Sequence, residues 1–154
     1  MMTTSELPKE SDRFSVPAAV EELCFLQDSK IERIRSAVDS VSTELSDALD
    51  REERLELASG IGDIAEELHN LIQRKLDAGF YDGFKGANRH SQERVAHLIS
   101  DYRRLLSELR TARHETAAGK PRKAQRELTS WLGHFSDLVD RETSLIDELW
   151  NTDF

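Results

Sequence analysis

The sequence predicts an all-α protein, an up-down-up-down antiparallel bundle of four helices. Apolar residues recur every three or four positions along four successive segments, the pattern of helices that bury one face. Only 3 Pro and 7 Gly interrupt 154 residues, fewer than the frequent turns of a many-stranded sheet require. Charged residues make up 33% of the chain, a share that suits long amphipathic helices. The connections are mostly short, which favours antiparallel neighbours.

The first helix and its boundaries follow from local signals. Residues 1–16 are polar and aperiodic, so we expect a disordered N-terminal tail before a single domain over residues 17–154. Pro17 suits the first turn of a helix, and the apolar stripe that follows predicts that helix 1 reaches about Leu49. Asp50 precedes an acidic turn and is predicted to start the second helix.

Helix 2 carries an apolar stripe from Leu55 to Leu76, with Gly60 and Gly62 inside it. A glycine in a helix interior costs about 1 kcal/mol relative to alanine, so a kink or a close helix contact is expected there. The two glycines are a poor signal for a phosphate-binding loop, because no strand precedes them.

The longest predicted loop, between helices 2 and 3, contains the aromatic segment Phe80–Phe84. Its aromatic side chains either pack beneath the loop as a small satellite core or form an exposed patch for a partner, and both remain open. Further along, Gly119 is predicted to end helix 3 and Pro121 to open helix 4.

Composition excludes several classes of function. The net charge of −9 argues against a general nucleic-acid binder, which needs clustered Lys and Arg. A single cysteine, Cys24, excludes an internal disulfide framework. No apolar run approaches the length of a membrane span, and the N-terminus lacks the features of a secretion signal, so we expect a cytoplasmic protein that does not bind membranes. No nucleophile and base stand in a recognisable catalytic pattern, which predicts that the protein is not an enzyme.

Four polar residues interrupt the apolar stripes, and these are the candidates for a functional site: Gln27, Lys75, Tyr102 and Glu142. In the predicted antiparallel arrangement all four fall at one end of the bundle. A buried carboxylate without a partner is costly, so Lys75 is the best candidate to pair with Glu142, with Tyr102 and Gln27 adding hydrogen bonds. The alternative is that Lys75 extends to solvent and Glu142 lies at a hydrated rim.

Three stretches carry a family resemblance: EELHNLIQRKLDAGFYDGF at the end of helix 2, VAHLISDYRRLLSEL in helix 3 and VDRETSLIDELWNTDF at the end of helix 4. Over about residues 20–154 the chain resembles a hemerythrin-like (HHE cation-binding) domain. The resemblance implies a di-iron site, and the positions that would hold its ligands are here Gln27, Leu71, Lys75, Tyr102, Leu138 and Glu142. Of the implied ligands only Glu142 remains, and one carboxylate cannot hold two irons.

These observations predict a bundle that has lost its di-iron site and acts, without cofactor, as a non-catalytic binding or regulatory module. Leu71 and Leu138 would fill the former cavity, and Lys75 would replace the metal charge. The alternative is a metalloprotein for oxygen or iron sensing or storage, which binds iron or another divalent cation through a displaced site of His69, His134 and Glu142.

The partner is expected to be an unidentified protein or a second copy of the chain. A homodimer would pair through Trp131 or Trp150 if these side chains face outward.

Overall fold

The computed structural model describes residues 18–79, 81 and 89–152, with the side chains of residues 18–27 and 149–152 outside that description. The expected tail over residues 1–16 therefore lies outside the described residues. The described chain forms four helices and no strand, which confirms the all-α prediction. They are α1 (Ala18–Glu44), α2 (Arg51–Asp77), α3 (Arg89–Ala117) and α4 (Pro121–Thr152).

The helices pack in a closed cycle, because α1 contacts α2 and α4, and α3 contacts α2 and α4. Their apolar faces meet in one continuous core to which all four contribute. The stripe of α2 needs one correction, because Leu55 is 46% exposed. The buried face of α2 begins instead at Leu57, which packs against the core one turn before Ile61.

The predicted start of α2, end of α3 and start of α4 are confirmed. The Asp50 side chain accepts a hydrogen bond from the backbone of Glu53 at 2.8 Å, and the Glu53 side chain accepts one from the backbone of Asp50 at 3.0 Å. This reciprocal capping box satisfies free N–H groups at the start of α2. Gly119 ends α3 with a φ of 86°, a conformation that favours glycine, and Pro121 opens α4.

The end of α1 differs from the prediction, since the helix stops at Glu44 rather than near Leu49. The side-chain amide of Gln125, on α4, donates to the backbone carbonyls of Ser42 at 2.7 Å and Leu45 at 3.1 Å. Carbonyls at the end of α1 therefore find a donor on another helix. Because that donor is 80 or more residues away, the local sequence did not reveal the stop.

The two glycines of α2 have different surroundings. A Cβ at Gly62 would lie 3.2 Å from the guanidinium of Arg113 on α3, so the expected close helix contact is found there. A Cβ at Gly60 would meet nothing within 4 Å. The lack of a side chain therefore serves packing at Gly62 only.

Candidate functional site

A buried ion pair joins α2 to α4. The Lys75 ammonium lies 2.8 Å from Oε1 and 3.1 Å from Oε2 of Glu142. The two side chains are 0% and 1% exposed. The predicted pairing is therefore confirmed, and the alternative in which Lys75 extends to solvent is wrong.

Two tyrosine hydroxyls also bind this carboxylate. The Tyr102 hydroxyl accepts a hydrogen bond from Lys75 at 3.0 Å and donates to Oε1 of Glu142 at 3.2 Å. The Tyr81 hydroxyl donates to Oε2 at 2.6 Å. Each carboxylate oxygen thus accepts at least two hydrogen bonds, so all four of its lone-pair positions have donors. We call Lys75, Tyr81, Tyr102 and Glu142 the buried cluster.

Tyr81 was not predicted as a member of this cluster. It belongs to the aromatic segment after α2, of which Phe80 and Phe84 lie outside the described residues. The usable signal was chemical, because a buried tyrosine needs a partner for its hydroxyl, whereas phenylalanine does not. Gln27, the remaining predicted member, has its side chain outside the described residues.

The amphipathic pattern brings these polar groups into the core. Glu142 lies four residues after Leu138 and three before Leu145, and both leucines are buried. Lys75 likewise follows the buried Leu71 by one helical turn. Because residues three and four apart share a helix face, burial of the apolar neighbours places both charges inside.

The electrostatics of the cluster keep both tyrosine hydroxyls protonated, as hydrogen-bond donors to the Glu142 carboxylate. Burial first, and then the negative charge of Glu142, raise the pKa of Tyr81 and of Tyr102 well above the ordinary tyrosine value. Both hydroxyls therefore keep their protons and remain donors at neutral pH. One ammonium and one carboxylate leave the cluster with no net charge, so the charges are buried as a compensated pair.

The residues present do not fit the di-iron site that the family resemblance implies. Leu71 and Leu138, at two expected ligand positions, are apolar core residues. At a third, the Lys75 ammonium has no lone pair to offer and would repel an incoming cation. Within the described residues there is no group of three or more His, Cys, Asp or Glu side chains that could hold a metal ion.

The displaced site is not assembled either. His69 is half-buried on α2, His134 is exposed on α4, and Glu142 is enclosed in the buried cluster. These three residues form no common metal-binding group. The physical reason is the position of each histidine around its helix, because each lies beside the apolar stripe rather than on it.

The interface through Trp131 is also corrected. Trp131 is 1% exposed, its indole N–H donates to the backbone carbonyl of Leu105 at 2.9 Å, and its ring stacks on Phe135 with centroids 4.7 Å apart. Trp131 therefore joins α4 to α3 inside the bundle. The side chain of Trp150 lies outside the described residues.

The described chain is thus all-helical, with four helices that pack together and a buried ion-pair cluster that joins α2, α3 and α4. Comparison with protein-family models, with curated proteins and with solved structures found no match. No helix within the described ranges is both long and apolar enough to span a membrane.

Proposed function

We propose that this protein is a non-catalytic binding or regulatory module, an up-down-up-down hemerythrin-like bundle that has lost its di-iron site. One observation carries the proposal: the Lys75 ammonium contacts both oxygens of Glu142, the one family-type ligand that the chain retains. A cation belonging to the chain itself balances the buried carboxylate.

Contacts between α3 and α4 support the antiparallel topology. Trp131 of α4 bonds to Leu105 of α3, and ten residues later Arg141 bonds to Asp101 at 2.8 Å. Contacts that advance along α4 thus move backwards along α3. The connection over residues 118–120 is short, which also favours an antiparallel pair.

The polar groups of the buried cluster support a structural rather than a chemical role for it. A catalytic acid, base or nucleophile has to reach a substrate, whereas Lys75 and Glu142 are fully enclosed and bonded to each other. Tyr81 lies beyond the end of α2, so the cluster holds this one described residue against the core. Binding then belongs to the surface, where the partner is an unidentified protein or a second copy of this chain.

Metal analysis tests the proposal directly. The protein is produced in medium supplemented with iron and zinc, and bound metal is measured by mass spectrometry together with the ultraviolet oxo-iron bands. We expect metal far below one ion per chain and no oxo-iron bands. Stoichiometric iron with those bands would refute the proposal.

Matched variants locate the metal if any is found. Loss of metal in Glu142→Gln but not in His69→Ala or His134→Ala would assign it to the buried cluster, and loss in all three variants would assign it to the displaced site. Light scattering on the same samples separates a homodimer from a monomer that needs another partner.

A further inference from the structure

A second polar feature lies on the surface between α3 and α4, away from the buried cluster. It is a groove of about 530 Å³. Its walls are one face of each helix, at positions three and four residues apart. The lining residues are Arg104, Ser107, Glu108 and Thr111 from α3, and Lys123, Arg126, Glu127, Ser130 and His134 from α4.

The lining of this groove holds three permanent cations, three hydroxyls and two carboxylates, although the whole chain carries a net charge of −9. Two of the cations already have acidic partners: Arg104 bonds to Asp101 at 3.1 Å, and Lys123 pairs with Glu115 at 3.0 Å. Arg126, the remaining permanent cation of the lining, forms no salt bridge with another described residue.

Arg126, Ser130 and His134 follow one another at intervals of four residues and line the same groove. Successive members are therefore about 6 Å apart along the axis of α4. A guanidinium, a hydroxyl and an imidazole on one face can all donate to a single anionic group placed over the serine.

We propose that this α3–α4 groove binds a small organic anion through a phosphate or carboxylate group, held by Arg126, Ser130 and His134. Arginine suits this role because its planar fork donates two parallel hydrogen bonds to either group. The proposal rests on the groove alone, so it stands or falls independently of the lost metal site.

Glu127 makes the binding depend on pH. Burial, followed by the neighbouring carboxyl of Glu115, raises the pKa of Glu127 to about 7. Protonation at mildly acidic pH removes a negative charge from the groove, which favours an anion whose own charge is unchanged. The other charged or titratable groups around Glu127 are Glu108, Glu115 and Arg104 from α3, and Lys120, Lys123, Arg126 and His134 from α4 and the turn before it.

The test is a nuclear magnetic resonance titration of the full chain with inorganic phosphate and, separately, citrate, at constant ionic strength. We expect the chemical shifts of the groove residues to change saturably with at least one of the two probes. The Arg126→Gln variant should lose at least about tenfold in affinity, because the charge-assisted hydrogen bonds of the guanidinium are lost. Arg110→Gln, an exposed position on α3 outside the groove, removes the same charge and should leave the affinity within about twofold.

The outcomes are distinct. Response to phosphate or to citrate supports the proposal and identifies the anionic group. Glu127→Gln supports it further if it tightens binding at about pH 8 and weakens the dependence on pH. Shifts that do not saturate with either probe, or equal effects of the two arginine substitutions, overturn it. None of these outcomes changes the metal content that tests the proposed function.

Discussion

Replacing Lys75 with methionine removes the buried ammonium while keeping an unbranched side chain of similar length. Glu142 then retains the hydroxyl donors of Tyr81 and Tyr102 but has no positive charge beside it. The carboxylate is 1% exposed, so water cannot take the place of the ammonium without opening the core. We therefore expect Lys75→Met to destabilise the fold strongly.

The magnitude follows from the distance between the charges. At 2.8 Å, with an effective dielectric constant of about 20, the attraction between the two groups is about 6 kcal/mol. Desolvation of the two ions costs several kcal/mol each, so the intact pair contributes little net stability. Removing the ammonium leaves the desolvation cost of the carboxylate without compensation. We therefore expect Lys75→Met to lower the free energy of unfolding by about 3–5 kcal/mol.

Urea unfolding followed by far-ultraviolet circular dichroism measures this loss. The matched control is Lys120→Met, at an exposed position, which should change stability by less than about 0.5 kcal/mol. The double variant Lys75→Met/Glu142→Leu removes both charges and should recover part of the loss, but not all of it, because the buried Tyr81 and Tyr102 hydroxyls lose their acceptor. The reasoning is refuted if Lys75→Met behaves like the control, or if the effects of the two substitutions simply add.

Three further predictions concern individual side chains. Tyr81→Phe removes a hydrogen bond to a charged group and should cost about 1.5–3 kcal/mol in urea unfolding; a cost below about 0.5 kcal/mol would contradict its place in the cluster. Glu127 binds its proton more tightly in the folded chain than in the unfolded chain, where a glutamate pKa is about 4.3. The resulting stability is fully present below about pH 4 and is lost as the pH rises through about 7. Between about pH 6 and pH 8 we expect the free energy of unfolding to fall by about 1 kcal/mol, a value already reduced for solvent screening. Glu127→Gln should abolish this fall, and a variant with the same pH profile as the original chain would contradict the assignment. Gly60→Ala should raise the free energy of unfolding by about 1 kcal/mol because a Cβ has open space there, whereas Gly62→Ala should gain less because it displaces a neighbouring guanidinium; the reverse order would show that the packing was misjudged.

Local sequence signals predicted the helices well where their causes are local. The capping box at Asp50 and the positive φ of Gly119 depend on residues within one turn of chain. The end of α1 depends on Gln125, far away in sequence, and was therefore missed. Leu55 was wrongly assigned to the buried face for a related reason. The period of an apolar stripe identifies a helix face but does not fix which residue of the first turn is buried.

The candidate site divides in the same way. Lys75 and Glu142 could be paired from sequence because each interrupts an apolar stripe and buried charges need partners. Tyr81 could not be placed, because it lies in a segment without periodicity and its position depends on a carboxylate contributed by α4. The surface groove was invisible for another reason, since it exists only where two polar helix faces lie side by side.

The sequence by itself determined that this chain forms four amphipathic helices and that Lys75 and Glu142, two charges that interrupt apolar stripes, are candidate partners. Both results follow from periodicity and from the free-energy cost of burying an unpaired charge. The tertiary structure decided which hydroxyls surround the carboxylate, that Trp131 points inward, and which cations share a surface groove. Those facts depend on the rotation of each helix against its neighbours, which many distant contacts set together and no single stretch of sequence encodes.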